Sequence, residues 1–162
     1  MRFLRPVLIP IIVLLVLAPG VAATGPSSTV AGYYTYHANN NPAAPRTLAV
    51  IATGGWFVKG TWTQINPETG AVLRSGLVTC LVTEGDDAWM AGPETYRAAG
   101  LYTAAGSFLH VHGPRPGEDD DSAVTWFGDP GQPLSEMIGW CRNQNTDIPL
   151  FPLVHGDVDV LP

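Results

Sequence analysis

Positive charge is scarce in this chain of 162 residues, which carries eight Lys and Arg side chains against fourteen Asp and Glu. Lys59 is the only lysine, and the formal net charge is −6 with histidine neutral. A surface of this sign repels the phosphate backbone of nucleic acids and the headgroups of anionic membranes. The composition therefore argues against both as partners, and it suits a protein that stays soluble outside the cell.

Long apolar runs are also missing, except at the start of the chain. Met1–Arg5 carries two arginines, Val7–Leu17 is apolar apart from one proline, and Val21–Ala23 supplies small residues of the kind that signal peptidase reads. That order is typical of a secretory signal peptide. The apolar run has about twelve residues, whereas a membrane-spanning helix needs about 18 or more. We therefore predict a signal peptide over Met1–Ala23, removed from a secreted domain of residues 24–162, and not a membrane anchor.

The predicted leader changes the charge of the chain that remains. It takes Arg2 and Arg5 with it, so six basic side chains remain against fourteen acidic ones, a net charge of −8. The remaining 139 residues or so have the length of one domain and are enough for a proper core.

Cysteine is the scarcest side chain with a chemistry of its own, and Cys80 and Cys141 are the only two. Two cysteines in an exported chain usually pair. A bridge closing a loop of about 60 residues would stabilise the fold by roughly 4 kcal/mol through the loss of loop entropy on unfolding. A two-cysteine metal site and a catalytic thiol are the alternatives, but no CxxC pair and no histidine partner marks either. We predict a disulfide.

Patterns that favour helices are weak, whereas glycine and proline are frequent, with 18 and 15 residues. Apolar and polar side chains alternate in short segments bounded by turn residues, most clearly in Trp56–Ile65, as in strands that bury one face. Val72–Thr83 is long enough to bend, and Gly76 predicts a bulge there. Only Pro133–Ile138 suggests a helix, of one turn at most. About eight strands without intervening helices predict an all-β fold, a single antiparallel barrel or sandwich.

Several of these segments share an order with a known group of proteins. Gly76–Thr83 contains the letters VTCL and is followed by a short turn and Ala88–Gly92; Leu109–His112 runs into the turn Gly113–Asp121, and Val154–Val160 closes the chain. This order resembles small secreted bacterial β-domains, including those that follow surface choice-of-anchor modules. The resemblance implies an all-β extracellular module and no particular chemistry.

The densest charge cluster is the run Glu118, Asp119, Asp120 and Asp121. Carboxylates packed in a loop can hold calcium through oxygen ligands. The run is contiguous, however, without the alternating spacing and central glycine of an EF-hand loop. It is a candidate calcium site, with a solvated acidic turn as the alternative. We expect no resident cofactor unless this loop binds calcium.

His110 and His112 form a second candidate metal site, because side chains two residues apart lie on one face of a strand. Two imidazoles at that spacing can bind one zinc or copper ion. A third ligand would come from His155, His37 or an aspartate of the following loop. The alternative is two histidines on the wet face of a strand.

Motifs for nucleophilic catalysis are missing. There is no GxSxG elbow, and no serine stands in a recognisable motif. A Ser-His-Asp triad and a pair of carboxylates for glycoside hydrolysis both depend on three-dimensional placement and stay open.

The aromatic side chains have two interpretations. Trp56 and Trp62 share one face of the predicted strand Trp56–Ile65, which indicates that they fill the core. Aromatics lining a barrel mouth could instead bind a sugar or a hydrophobic ligand.

Together these features predict a secreted, monomeric, non-enzymatic module that binds an unknown extracellular ligand or surface, without nucleic acid or membrane contacts after leader cleavage. One alternative is a small β-barrel enzyme or ligand carrier with a wet pocket lined by convergent polar groups such as His110, His112 or Glu94. A calcium-dependent adhesion element is the other.

Overall fold

The computed structural model describes residues 27–38, 41–113 and 121–161, and it confirms the all-β class. The predicted signal peptide, Met1–Ala23, lies outside the described residues. The elements are β1 (Thr29–His37), β2 (Pro45–Thr53), β3 (Lys59–Ile65), β4 (Val72–Val78), β5 (Cys80–Glu84), β6 (Asp87–Arg97), β7 (Gly106–His112), β8 (Ser122–Phe127), α1 (Leu134–Arg142), β9 (Phe151–Pro152) and β10 (His155–Leu161).

All strand pairings are antiparallel, in the order β10-β1-β2-β3-β4-β6-β7-β8-β9, with β5 also paired to β6. The sheet curls, because β10 at one end lies against β7 near the other. The described residues therefore form a curled antiparallel sheet, as the predicted barrel or sandwich requires.

The strand count exceeds the expected eight because one predicted strand is divided and β9 is very short. Val72–Thr83 bends at Thr79 into β4 and β5, which lie end to end along one edge of β6. The pairing register of β4 with β6 shifts between Ser75 and Gly76, which confirms the predicted bulge. A side chain at Gly76 would place its Cβ 2.4 Å from the Pro93 carbonyl oxygen and 2.6 Å from the Trp62 ring, so only glycine fits there.

Side chains that alternate inward along the strands fill the inside of the curl. Trp62 is 1% exposed and forms the centre of this apolar cluster together with buried residues that include Val30, Tyr34, Leu48, Met90, Leu109 and Val158. Trp56 was expected beside Trp62, and that expectation is wrong: β3 begins at Lys59, and Trp56 lies before it with 80% of its surface exposed. The alternation of Trp56–Ile65 is genuine only from Lys59 onward.

A second apolar cluster lies on the outer face of β6 and β7, beneath α1. Trp89 and Phe108 point outward into it and pack with Met137 and Cys141 of the helix. Because Ala88–Gly92 of β6 and Gly106–Val111 of β7 are buried on both faces, these stretches lack the alternation of apolar and polar side chains seen in half-buried strands. The prediction of one helical turn at most over Pro133–Ile138 is wrong, since α1 runs for nine residues. Met137 and Cys141 are four residues apart, so both lie on the buried side of the helix.

The predicted disulfide between Cys80 and Cys141 is present, and it joins β5 to α1. The two Cα atoms are 6.4 Å apart, and the bridge spans 61 positions of the chain. Neither cysteine is free, so the metal and thiol alternatives have no cysteine to use.

The two ends of the sheet meet along a seam that is only partly closed. Pairing of β1 with β10 ends at Thr35 opposite His155, so the last part of β1 extends beyond β10. On the other side, β9 pairs only with Ser122 and Ala123 of β8. The remainder of β8, residues 124–127, therefore has no strand on its outer edge among the described residues. We call the gap between Tyr36–His37 and residues 124–127 the open seam.

Within the described ranges, no helical segment has the length and hydropathy needed to cross a bilayer.

Candidate functional site

A cavity of about 240 Å³ lies inside the curl at the open seam. We call it the inner cavity. Seven strands or loops supply its wall, because the strand ends converge there: Tyr36, Ala38, Arg46, Gln64, Leu73, Arg74, Leu101, Tyr102, Thr125 and Phe127. The wall combines aromatic rings, aliphatic side chains and polar groups, which is the composition expected of a site that both packs against a ligand and orients it.

Arg74 forms the base of the inner cavity and is 2% exposed. Its Nη1 pairs with Glu94 Oε1 at 2.5 Å, and its Nη2 donates to the carbonyl oxygen of Tyr102 at 2.9 Å. The guanidinium lies 4.6 Å from the ring centroid of Tyr102 and 4.7 Å from that of Phe127. Glu94 compensates the charge of Arg74, so this pair organises the wall and adds no net charge to the cavity.

Tyr36 and Gln64 form a buried polar contact at the side of the inner cavity. Gln64 Nε2 donates to the Tyr36 hydroxyl oxygen at 2.7 Å. Burial raises the pKa of Tyr36, so the phenol stays neutral at physiological pH. Gln64 and Arg74 are cross-strand neighbours on β3 and β4, and both point inward.

Trp62 Nε1 is buried beside the cavity and forms no hydrogen bond among the described residues. The Tyr34 hydroxyl is buried too, which raises its pKa, and the neighbouring Thr125 side chain partly offsets that effect. A buried polar group without a partner costs about 1–3 kcal/mol. Such a cost is often retained where a ligand or a bound water supplies the missing partner. Thr125 belongs to the cavity wall itself.

Arg46 is the one cation of the inner cavity without an acidic partner among the described residues. It is half-buried, and its Nη1 donates to the carbonyl oxygen of Pro45 at 2.7 Å. Since Glu94 neutralises Arg74, the cavity carries about one net positive charge in a chain whose formal charge is −6. This local sign favours an anionic ligand.

A second cavity, of about 230 Å³, adjoins the first across the open seam. We call it the outer cavity. Its wall is mostly apolar and consists of Tyr36, His37, Val124, Thr125, Trp126, Ile148, Pro149 and Phe151. Tyr36 and Thr125 line both cavities. Thr125 points into the curl, whereas Val124 and Trp126 on either side of it point outward, so the two cavities lie on opposite faces of β8.

The predicted histidine pair lies elsewhere, on the outer face of β7. His110 Nε2 is 2.9 Å from Asp87 Oδ1, and His112 Nδ1 is 3.3 Å from Asp87 Oδ2. His110 is 4% exposed and stacks on Trp89, with ring centroids 4.6 Å apart, so it is not on a wet strand face. Burial lowers the pKa of His110, an effect that the contact with Asp87 partly offsets.

Neither His155 nor His37 joins this pair; the third residue is Asp87, from the strand before. No group of three His, Cys, Asp or Glu side chains within the described ranges has an arrangement that could hold a metal ion. Ser122 is the cross-strand neighbour of His112, which in turn lies opposite Asp87, but no hydrogen bond joins Ser122 to His112. The three residue types of a hydrolytic triad are thus in one row without the serine–histidine contact that such a triad needs.

The acidic run lies mostly outside the described residues, which include Asp121 but not Glu118, Asp119 or Asp120. Asp121 Oδ2 accepts a hydrogen bond from the backbone N–H of Val158 at 2.7 Å. Its carbonyl oxygen accepts another from Leu153 at 3.0 Å. Asp121 therefore ties the start of β8 to the last strand, and the calcium site stays a prediction.

Sequence reasoning missed most of the inner cavity. Gln64 and Arg74 occupy inward positions of two alternating strands, and a polar side chain at such a position was the available signal. Asp87 was also missed as the partner of both histidines, because only the register of β6 against β7 shows that it lies opposite His112.

No family model matches this chain, and neither does any curated protein or solved structure with which it was compared. The resemblance to small secreted bacterial β-domains accordingly stays a prediction.

Proposed function

We propose that this chain is an extracellular, non-enzymatic binding module that takes a small organic anion into the inner cavity. The observation that carries the proposal is a half-buried Arg46 without an acidic partner, set in an aromatic wall, in an acidic protein. An internal site corresponds to the ligand carrier that the sequence analysis gave as an alternative, without the enzymatic activity.

The packing of the fold supports this choice of site. Most of the curl is filled by buried apolar side chains, whereas Arg46, Gln64, Arg74 and Thr125 bring polar groups together at the seam. Glu94, a residue expected of a carrier pocket, lies there in contact with Arg74. His110 and His112, the other two expected residues, lie on the outer face and do not contribute.

Benzoate is a suitable first probe, because its ring can pack against the aromatic side chains of the wall and its carboxylate can pair with Arg46. We expect a titration followed by amide and side-chain NMR shifts to perturb Tyr36, Gln64, Thr125 and Phe127. Removing the charge by Arg46→Gln should weaken binding roughly fivefold, since a partly screened ion pair contributes about 1 kcal/mol.

Arg142→Gln is the matched control, because Arg142 is exposed at the end of α1 and does not line the inner cavity. It removes the same charge and should leave benzoate affinity unchanged. If millimolar benzoate perturbs no inner-cavity resonance, or if both variants weaken binding equally, the proposed function is wrong.

A further inference from the structure

The open seam continues a line that one extended segment of the chain fills further along. Residues 151–161 contain β9, which pairs with β8, and β10, which pairs with β1. Between these two strands the N–H of Leu153 donates to the carbonyl oxygen of Asp121 beside β8, and the N–H of Val154 donates to that of Thr35 in β1. A single extended segment therefore bridges the two edges there, so the gap between β8 and β1 is one strand wide at this point.

Pro149 explains why this segment does not continue into the open seam. The register of β8 with β9 pairs Ala123 with Phe151, so two positions further along it would pair Thr125 with Pro149. Proline has no N–H to donate to Thr125, and it ends a ladder of hydrogen bonds at such a position. The place that an extension of β9 would occupy is therefore open among the described residues.

Both sides of the open seam present backbone hydrogen-bonding groups. The N–H of Gly128 donates to the neighbouring strand β7, and the groups that face one neighbour alternate along an antiparallel strand. The N–H and C=O of Thr125, three positions earlier, therefore face the seam. On the other side the N–H of Ala38 donates to the chain just before β2, so the N–H and C=O of His37 face the seam by the same alternation. Edge groups of this kind are templates for an added strand.

The outer cavity offers space for the side chains of such a strand. It measures about 230 Å³, and Val124, Trp126 and Ile148 contribute to its mostly apolar wall. On its inner side the Tyr36 hydroxyl and the Thr125 side chain are in hydrogen-bond contact and separate it from the inner cavity. Because side chains alternate across a strand, an added strand would place apolar side chains beside Trp126 and small ones over the contact of Tyr36 with Thr125.

The charge near the seam favours a basic segment over an acidic one. Asp129 follows β8 by two residues, Asp147 directly precedes Ile148, and both carboxylates are exposed. The whole chain has a formal net charge of −6. Basic side chains at the ends of an added strand would therefore be attracted, and acidic ones would be repelled.

We propose that the open seam binds an extended segment of a partner protein, which adds to the sheet as a strand between β8 and β1. The segment alternates apolar and small side chains and carries basic residues at its ends. Backbone hydrogen bonds to Thr125 and His37 hold it, and its apolar side chains occupy the outer cavity. This site does not depend on the ligand of the inner cavity, and it gives the module a second, macromolecular partner.

The capped peptide lysine-threonine-valine-threonine-valine-lysine is the probe, and amide hydrogen exchange followed by NMR is the direct measurement. In the free protein the Thr125 N–H should exchange faster than the Trp126 N–H, which faces Phe108 of β7. Saturating peptide should slow exchange at Thr125 roughly fivefold or more relative to Trp126, because the bound strand supplies the missing acceptor.

Two altered peptides separate backbone pairing and charge from simple apolar binding. N-methylation of the two central residues removes two N–H donors and keeps every side chain, and it should weaken binding roughly tenfold. Replacing both lysines by glutamate should weaken binding roughly fivefold.

Trp126→Val and Tyr96→Val form a matched pair of variants. Both replace a partly exposed strand aromatic by a residue that favours strands, but Tyr96 lines neither the inner nor the outer cavity. Trp126→Val should weaken peptide binding roughly fivefold through lost apolar contact, whereas Tyr96→Val should leave it unchanged.

Several results would overturn the proposal. Absence of peptide binding at millimolar concentration, equal affinity for the N-methylated peptide, or equal loss in both aromatic variants would each do so. Protection of the Thr125 N–H that rises with protein concentration without peptide, together with a dimer in sedimentation equilibrium, would assign the seam to a second copy of this chain instead. Each of these results leaves benzoate binding in the inner cavity unaffected, so the two proposals fail separately.

Discussion

His110 is a buried histidine whose surroundings in the folded protein favour its neutral form. Its ring is stacked on Trp89 and its Nε2 faces Asp87, while its Nδ1 is buried without a hydrogen bond. Burial is the main cause of its lowered pKa, so the folded protein favours the neutral imidazole. In the unfolded chain the same side chain titrates with an ordinary pKa of about 6.5.

This difference predicts a pH-dependent stability. As pH falls through about 6.5, the unfolded chain binds a proton before the folded chain does, so the free energy of unfolding decreases. The decrease is at most about 1.4 kcal/mol per pH unit and ends once the lower pKa of the folded state is passed. Urea denaturation between about pH 7.5 and about pH 5 would measure it, above the range in which ordinary carboxylates titrate.

His110→Gln should flatten this pH dependence, because glutamine does not titrate and can still donate to Asp87. His155→Gln provides the comparison, since His155 is exposed at the start of β10. Identical slopes for the wild type and His110→Gln would show that another group controls stability in this pH range.

At the scale of the element, α1 contains an avoidable weakness. Gly139 lies in the interior of the helix, and a Cβ added there would meet no atom within 4 Å. Glycine costs a helix interior about 0.5–1 kcal/mol relative to alanine. Gly139→Ala should therefore raise the free energy of unfolding by about that amount in urea denaturation.

Gly76→Ala is the opposite test on β4. Its Cβ would lie 2.4 Å from a backbone oxygen of Pro93 and 2.6 Å from the Trp62 ring, so the strands would have to separate. Overpacking of this kind costs about 1–3 kcal/mol or more. If the two alanine variants changed stability in the same direction, the close approach at the bulge would be refuted.

The same two elements show what the sequence could predict and what it could not. The bulge at Gly76 was predictable, because a glycine interrupts a strand too long to stay straight. The length of α1 was not, because Pro133 and Gly139 obscure its pattern and its buried side carries only a few apolar residues. At Trp56 the alternating pattern predicted a strand where there is none, since local alternation does not show where a strand begins.

The candidate site was less predictable than the fold for a reason that belongs to the whole molecule. Gln64 and Arg74 lie side by side because β3 and β4 form a hairpin, which is a local arrangement. Thr125 and Phe127 lie more than fifty positions further along the chain, and they reach the same cavity because the sheet curls until β8 approaches β1. That curl depends on long-range packing, such as β10 against β7, and on the bond from Val158 to Asp121. Periodicity within one strand contains no information about it.

The disulfide has its effect at this largest scale. Cys80 and Cys141 are separated by 61 positions, and their bridge attaches α1 to the outer face of β5 and β6. In the unfolded chain it closes a long loop, which stabilises the folded state by about 4 kcal/mol. The apolar contacts of Met137 and Phe108 beneath the helix persist without the bridge, so reduction should weaken the fold without abolishing it.

We expect reduction to lower the melting temperature by more than about 10 °C, as a loss of about 4 kcal/mol implies for a domain of this size. Thermal denaturation followed by far-ultraviolet circular dichroism, with and without a phosphine reductant, measures the difference. The double variant Cys80→Ser, Cys141→Ser should melt near the temperature of the reduced wild type and should not respond to the reductant. Equal melting temperatures for oxidised and reduced wild type would mean that the bridge does not constrain the unfolded chain, and α1 would then be held by its apolar contacts alone.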